Sequence, residues 1–202
     1  MNNNFTKVEL MEVADLITGF AFKSKEYSFE DGIAVLRGEN VTEDRLRWDT
    51  RKYWNKDIEP YKKFLLKKND IVIGMDGSKV GKNRSLIKES DLPLVLAQRV
   101  CAVRNKNDIS QKFLKHTILS KLFLGYVNSI KTGAAVPHVS LTQIGKFSFL
   151  IPKSFELQIK IASVLSNYDN LIENNTRRIQ ILEEMAQRIY KEWFVDFKYP
   201  GH

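Results

Sequence analysis

The longest regular pattern of hydrophobic positions lies in the last quarter of the chain. Neither Pro nor Gly, the residues that interrupt helices, occurs between residues 155 and 195. Apolar side chains recur there at the a, d and e positions of a heptad repeat, which predicts one long amphipathic helix. Such a helix would measure about 60 Å at ~1.5 Å per residue, too long for a domain of about 150 residues to cover. Part of its apolar face is therefore expected to need a partner helix.

The heptad assignment identifies the side chains expected to join two such helices. Polar residues occupy the centre of the pattern at 173–178, and a polar residue at an a position costs stability but fixes alignment. An antiparallel coiled-coil pairing element is favoured, and an ordinary helix packed on its own domain is the alternative. The residues predicted to mediate dimerisation are Ile161, Val164, Leu165, Tyr168, Leu171, Ile172, Asn175, Ile179, Leu182, Met185 and Ile189.

The first three quarters of the chain alternate short apolar runs with glycine-bounded turns, a pattern typical of an α+β domain with a mixed sheet. A short helix is predicted at residues 8–17. Strands are predicted at residues 32–38, 70–74, 92–104 and 147–152. Gln98 and Arg99 interrupt the third apolar run, either as outward-pointing side chains at a sheet edge or as groups that contact a ligand.

Two serines precede predicted helices. Ser110 is a candidate N-cap for a core helix that continues through Phe123, and Ser154 can cap the long helix. Between the strands, residues 41–68 interleave aromatic and basic side chains. This interleaving can stack on nucleic-acid bases, but it is equally common where aromatic side chains pack inward. The aromatic residues concerned are Trp48, Tyr53, Trp54 and Tyr61.

The distribution of charge separates the two parts of the chain. The 202 residues carry a formal net charge of +8, and residues 153–202 hold seven basic and seven acidic residues. The whole excess therefore lies in residues 1–152, where residues 51–90 alone hold eleven basic and five acidic residues. A neutral helix attached to a basic domain suggests a domain that binds a polyanion and a helix that mediates assembly. Composition leaves open a basic protein that binds no anion.

Other features narrow the class of protein. No apolar run reaches the roughly 18 residues that a membrane-spanning helix needs, and no signal-peptide pattern opens the sequence. The single cysteine, Cys101, rules out an internal disulfide and is predicted to be a small buried side chain. A cytoplasmic location is expected.

A glycine-rich hairpin follows the strand at 70–74. A phosphate-binding P-loop needs four residues between its first Gly and its Gly-Lys pair, whereas Gly77 and Gly81 enclose three. A nucleotide site is therefore rejected. The tip instead offers flexible backbone N–H groups and cations suited to DNA phosphates or base edges. Its cations are Lys79, Lys82 and Arg84.

Several segments, taken in order, carry a resemblance to a known family. They are GFAFKS at 19–24, RGENV at 37–41, NDIVI at 69–73, GAAVPHVS at 133–140, LIP at 150–152 and, most specific, IQILEEMAQRIYKEWFVDF at 179–197. This arrangement resembles one half of the DNA specificity subunit of a type I restriction–modification enzyme. Two departures occur: Leu157 separates Glu156 from Gln158, which are usually adjacent, and the hairpin begins Asn-Asp rather than Gly-Asp.

The resemblance implies a fold, partners and cofactors. The family's full subunit has two target-recognition domains, each followed by a long helix; the helices pair antiparallel, and each domain reads half of a split double-stranded DNA site. It docks methyltransferase subunits, which use S-adenosylmethionine, and an ATP-driven restriction subunit, so this chain needs no cofactor. Residues 1–152 would be one recognition domain. Residues 153–202 would pair with a second copy or a companion half and dock the methyltransferase. A natural half-subunit and a fragment both remain open.

The sequence does not favour catalysis by this chain. A DNA amino-methyltransferase of the related kind needs an Asn/Asp-Pro-Pro-Tyr/Phe motif, yet none of the five prolines are adjacent. One cysteine and three histidines give no recognisable metal-site spacing. The remaining alternative is a coiled-coil interaction module whose basic domain binds a protein partner. The polar residues predicted to contact DNA are Lys23, Ser24, Arg37, Lys79, Lys82, Asn83, Arg84, Gln98, Arg99, Lys131 and His138.

Overall fold

The computed structural model describes residues 4–43, 45–106, 109–130, 137–198 and 200–201. It divides into two compact units, Met1–Ile161 and Ala162–His202. Strands and short helices build the first unit, and one long helix runs from its end through the second. This architecture confirms the predicted α+β class with a long C-terminal helix. The predicted division of function at residues 152 and 153 stays a prediction.

The strands and helices are short apart from the last helix. The strands are β1 (Phe5–Glu9), β2 (Ala14–Thr18), β3 (Ile33–Leu36), β4 (Tyr53–Trp54), β5 (Ile71–Gly74), β6 (Arg84–Leu86), β7 (Leu94–Leu96), β8 (Val100–Asn105) and β9 (Ser148–Pro152). The helices are α1 (Leu10–Val13), α2 (Gln111–Leu119), α3 (Lys121–Ile130), α4 (Leu141–Gly145) and α5 (Phe155–Tyr190), with a π-helical turn at Lys191–Val195. Short 3₁₀ segments lie at Ser24–Glu26, Gly38–Asn40, Glu59–Phe64 and Glu89–Asp91.

Three sheets organise the described part of the first unit. The largest has the antiparallel order β2-β8-β5-β6, and the second has the order β4-β3-β7, with β3 and β7 parallel. The third is an antiparallel ribbon of β1 and β9, in which Phe5 lies opposite Pro152. Both parallel and antiparallel pairings therefore occur, as the sequence predicts, but the strands form three separate sheets.

The prediction of a helix at residues 8–17 is wrong. That stretch instead ends β1, makes the single turn α1 and becomes β2. Its backbone pairs with β9 on one side of α1 and with β8 on the other, while Leu10 is fully buried. Long-range strand pairing and burial here outweigh the local helical pattern.

The apolar run at 92–104 is two strands rather than one. β7 pairs in parallel with β3, whereas β8 lies between β2 and β5 in the other sheet. Gln98 and Arg99 form the turn between them, and both are exposed. Arg99 adopts a left-handed φ of 67°, which a regular strand does not allow.

The two predicted helix caps are confirmed. The Ser110 hydroxyl accepts a hydrogen bond from the Phe113 amide at 3.5 Å, and the Ser154 hydroxyl accepts one from the Leu157 amide at 3.3 Å. The predicted core helix after Ser110 breaks at Ser120 into α2 and α3. Both caps satisfy backbone N–H groups that the first helical turn leaves without an intrahelical acceptor.

The aromatic residues of 41–68 pack inward. Trp54 is buried, with its ring centroid 4.7 Å from that of Phe22 and 5.3 Å from that of Tyr61. Trp48 and Tyr53 are partly buried against the neighbouring core cluster. These contacts favour a structural role over stacking on bases.

Cys101 is buried, as predicted, in strand β8. Burial raises the pKa of its thiol to about 12, because an apolar surrounding disfavours the thiolate. This cysteine is therefore a small apolar core residue at neutral pH.

In the second unit, the apolar positions of helix α5 are exposed. The exposed fractions are 56% for Leu171, 64% for Ile172 and 61% for Leu182. Such a stripe of large apolar side chains is more than an isolated soluble helix carries without a partner. Along the part of the chain that the structure describes, no helix is long and apolar enough to cross a membrane.

Candidate nucleic-acid interface

The tip of the β5–β6 hairpin is anchored by packing, whereas the sequence predicts a flexible tip. Val80 is buried, and Gly77 and Gly81 take φ values of +100° and +85°. A Cβ at Gly81 would lie 2.8 Å from Cγ1 of Val127 in α3. The glycines thus permit a tight turn that rests on α3 and leaves Lys79 exposed.

The base of the same hairpin is bonded to the segment that precedes α4. Gly77 donates its N–H to Pro137 O at 3.0 Å, and Val139 donates to Met75 O at 2.9 Å. Between these bonds, Asp76 lies opposite His138 as an antiparallel bridge. Residues more than sixty positions apart in sequence are therefore held side by side beneath the hairpin tip.

The Asp76 carboxylate connects two predicted DNA-contacting residues. Its Oδ2 accepts a hydrogen bond from Nη1 of Arg99 at 2.6 Å, and its Oδ1 is hydrogen-bonded to Nδ1 of His138. Burial alone would raise the pKa of Asp76, but the hydrogen bonds from His138 and Arg99 outweigh it and hold the pKa below its usual value. The carboxylate is consequently charged at neutral pH.

Sequence reasoning misses Asp76. Its partners are 23 and 62 positions away, so no local pattern connects them. A carboxylate is also not an obvious choice for a surface that faces phosphates.

A groove of about 510 Å³ opens beside this carboxylate. Its walls are the hairpin, the turn at residues 19–24 after β2 (the aromatic turn), the 3₁₀ segment Gly38–Asn40 with Arg37, and the β7–β8 turn. Among its lining residues are six that the sequence predicts to contact DNA: Ser24, Arg37, Lys79, Asn83, Gln98 and Arg99. The fold therefore gathers onto one surface polar side chains from four separate segments of sequence. Their contact with DNA stays a prediction.

Arg37 forms part of the groove wall and its charge is largely compensated. Its side chain is 15% exposed and pairs with the carboxylate of Glu39. The guanidinium also donates from Nη2 to Thr50 O at 3.4 Å and lies 5.9 Å from the ring centroid of Tyr27. This side chain is held in place and has less freedom to reach for DNA than the hairpin lysines.

Arg84, predicted to contact DNA, is largely buried, and its contact with DNA stays a prediction. Arg84 is 5% exposed, and its Nη1 donates to Ile118 O at 2.5 Å and to Ser120 O at 3.1 Å. The guanidinium also lies 5.7 Å from the ring centroid of Phe123. A cation bonded to the last carbonyls of α2 stabilises that helix end, so the residue is structural.

The other predicted residues lie outside the groove lining or outside the described residues. Lys23 and Lys82 are exposed, and Lys131 falls outside the residues that the structure describes. Within the described part of the chain, neither Lys79 nor Lys82 forms an ion pair. These two lysines give the hairpin tip an uncompensated positive charge suited to phosphate groups.

Comparison with known proteins identifies the family. The family model described as the type I restriction modification DNA specificity domain matches residues 2–184. The chain belongs to this family. An Escherichia coli relative, the type I restriction enzyme EcoAI specificity subunit, is 32% identical over 185 residues, which cover 88% of this chain and 30% of that protein. The MjaVIII specificity subunit of Methanocaldococcus jannaschii is 27% identical over 90% of this chain and 43% of its own length.

Solved specificity subunits share the fold. The type I S subunit from M. genitalium superposes with a TM-score of 0.69 at 19% identity, covering 96% of this chain and 47% of that one. The HsdS subunit from Thermoanaerobacter tengcongensis gives 0.60 at 16% identity, covering 96% and 46%. The chain thus spans under half the length of these specificity subunits.

Proposed function

We propose that this chain acts as a half-sized DNA specificity subunit that reads one half of a bipartite double-stranded target. The observation that carries the proposal is the match of nearly the whole chain, residues 2–184, to the DNA specificity domain. The groove beside the hairpin supports it, because it collects polar and basic side chains from four segments on the basic unit. Phosphate contacts would hold the duplex, and groove side chains would contact base edges.

The long helix would complete the bipartite reader. Its exposed apolar positions, including Leu171 and Leu182, favour a second copy or a companion half as the partner. Residues 153–202 would also dock the methyltransferase subunit, and the restriction subunit would join the same assembly. Support comes from the relatives, which are type I restriction enzyme specificity subunits, and from a structural neighbour solved in connection with complex assembly of the type I R-M system.

In this proposal the chain itself is not catalytic. Methyl transfer with S-adenosylmethionine and ATP-driven restriction belong to partner subunits, and the assembly works in the cytoplasm where its DNA lies. The recognition domain contributes target choice, and the helix contributes spacing.

The proposed function is tested by methylome sequencing of a host that carries this chain with its cognate methyltransferase subunit. A new bipartite methylated motif that disappears when the gene for this chain is removed is the expected result. The purified complex should also bind duplex DNA with an affinity that falls steeply as salt rises. A protein-binding module would give neither the methylated motif nor salt-dependent DNA binding.

A further inference from the structure

The Asp76 carboxylate lies in the groove where a polyanion is expected to bind. Asp76 lines the groove, and its side chain is 17% exposed. Its negative charge opposes the approach of phosphates. Its ion pair with Arg99 contributes little to folding, because the Arg99 side chain is 68% exposed. Neither DNA affinity nor stability therefore accounts for the pair.

The backbone around Arg99 is as firmly placed as its side chain. Arg99 O accepts a hydrogen bond from the Met75 amide at 3.0 Å, which joins the turn to the hairpin. On the other side, Gln98 donates its N–H to Phe20 O at 2.9 Å. Arg99 is thus fixed at both ends: the backbone by the hairpin and the aromatic turn, and the guanidinium by Asp76.

The bond to Asp76 uses one edge of the guanidinium. Arg99 donates to Asp76 from Nη1, and a guanidinium carries five N–H donors in a planar fork. The edge formed by Nε and Nη2 is therefore available to a planar acceptor pair. The O6 and N7 atoms of guanine in the major groove form such a pair, and arginine is its commonest partner.

We propose that Arg99 reads a guanine of the half-site and that Asp76 is the positioning residue that orients it. The inference rests on the proposed function, since it names the base that this groove would recognise. The bond between Asp76 and His138 strengthens the assignment, because it limits rotation of the carboxylate that holds Arg99. A fixed fork loses less freedom on binding and discriminates better against a displaced acceptor.

The experiment uses the complex with its methyltransferase subunit and a library of duplexes randomised across the half-site. Three variants are compared with the wild type: Asp76→Asn, Arg99→Lys and Arg99→Ala. Asp49→Asn is the matched control, because it makes the same change at a carboxylate that also pairs with an arginine, Arg47, but lies outside the groove lining. Affinity for an unrelated duplex and the salt slope are measured alongside.

Asp76→Asn is expected to lower the preference for guanine at one position by about tenfold, the scale of one bidentate contact. Its affinity for an unrelated duplex should stay equal or rise, since a negative charge is lost. Arg99→Ala should lose the same preference at the same position. Arg99→Lys should lose it too while keeping the salt slope, because lysine keeps the charge without the fork. Asp49→Asn should keep the preference.

Two results would overturn the inference while leaving the proposed function intact. In one, Arg99→Ala and Arg99→Lys retain every base preference of the wild type. In the other, they lose a guanine preference that a folded Asp76→Asn variant retains in full. If the wild-type complex shows no sequence-dependent DNA binding, the proposed function fails and this inference fails with it.

Discussion

Arg104 donates two parallel hydrogen bonds to Asp70, from Nε to Oδ1 at 2.8 Å and from Nη2 to Oδ2 at 2.7 Å. The Asp70 side chain is 1% exposed, and its Oδ2 also accepts from the Lys67 amide at 2.7 Å. The pair joins β8 to the start of β5, the strand that leads into the hairpin. This ionic contact therefore links β8, which follows Gln98 and Arg99, to β5 at its end away from the hairpin.

Arg104→Met should lower the free energy of unfolding by about 3 kcal/mol, because it leaves the Asp70 charge buried without its cation. Arg47→Met is the matched control. Arg47 pairs with Asp49 at 3.0 Å, but those side chains are 55% and 69% exposed, and the loss should stay below about 1 kcal/mol. Urea unfolding of both variants measures the difference, and equal losses would contradict this account.

Gly81→Ala should destabilise the hairpin more than Gly77→Ala. Both positions have positive φ, so each alanine costs about 1 kcal/mol or more in backbone strain. At Gly81 the new Cβ would also lie 2.8 Å from Val127, whereas at Gly77 it meets nothing within 4 Å. Thermal unfolding of the two variants gives the comparison. A larger loss at Gly77 would show that contact with α3 does not anchor the tip.

The cations of the hairpin should separate into two classes. Lys79→Ala combined with Lys82→Ala should weaken DNA binding by the complex and reduce the salt slope by roughly two, at ~0.9 per phosphate contact. Stability should change little, since both side chains are exposed.

Arg84→Ala should instead lower the free energy of unfolding by about 1–3 kcal/mol, because Ile118 O and Ser120 O lose their donor. Binding titrations over a salt series, with unfolding curves, distinguish the two. An Arg84→Ala variant of normal stability and reduced slope would restore it to the DNA contacts.

Leu171→Asp combined with Leu182→Asp should produce monomers, since each change places a charge in a desolvated contact. Gln180→Asp combined with Gln187→Asp adds the same charge at f positions of the heptad and should leave assembly unchanged. Sedimentation across a concentration series measures both. An unchanged dimer in the leucine variant, or a monomeric wild type at high concentration, would exclude pairing through this face.

Insertion of one heptad into helix α5 should abolish activity on the original target. It keeps the apolar stripe in phase and adds about 10 Å at ~1.5 Å per residue, equal to about three base pairs at ~3.4 Å each. Three base pairs also rotate the duplex by roughly 100°, at ~10.5 base pairs per turn.

At most, weaker binding to a target whose gap is longer by one to three base pairs is expected. Selection from duplexes of variable gap tests this. Recovery of the original gap at full strength would mean that another subunit sets the distance.

Local signals suffice where local interactions decide the structure. The glycine-bounded strand at 32–38, the strand before the hairpin and the long helix are all confirmed. The caps at Ser110 and Ser154 are also confirmed, because an N-cap depends on an amide three residues away. The wider α+β class follows from these elements.

Distant pairing decides the features that the sequence does not reveal. β1 and β2 displace the predicted first helix because their partners, β9 and β8, lie far along the chain. In the sequence Arg84 has the character of a DNA-binding cation, because its hydrogen-bond acceptor, Ile118 O, lies 34 positions away and no local pattern reveals it. Asp76 joins the groove for the same reason. The basic and polar character of the groove can be predicted, but the presence of the Asp76 carboxylate in it cannot.

The ribbon of β1 and β9 brings together two segments that lie far apart along the first unit. Phe5 lies opposite Pro152, and Lys153 donates its N–H to Asn4 O at 2.9 Å. The chain thus enters and leaves the domain at neighbouring points. Everything between them can in principle be exchanged for another sequence, or reopened at another loop, while the ribbon and the start of α5 stay unchanged. Under the proposed function, new specificities would arise by recombination at these two ends, with no redesign of helix α5.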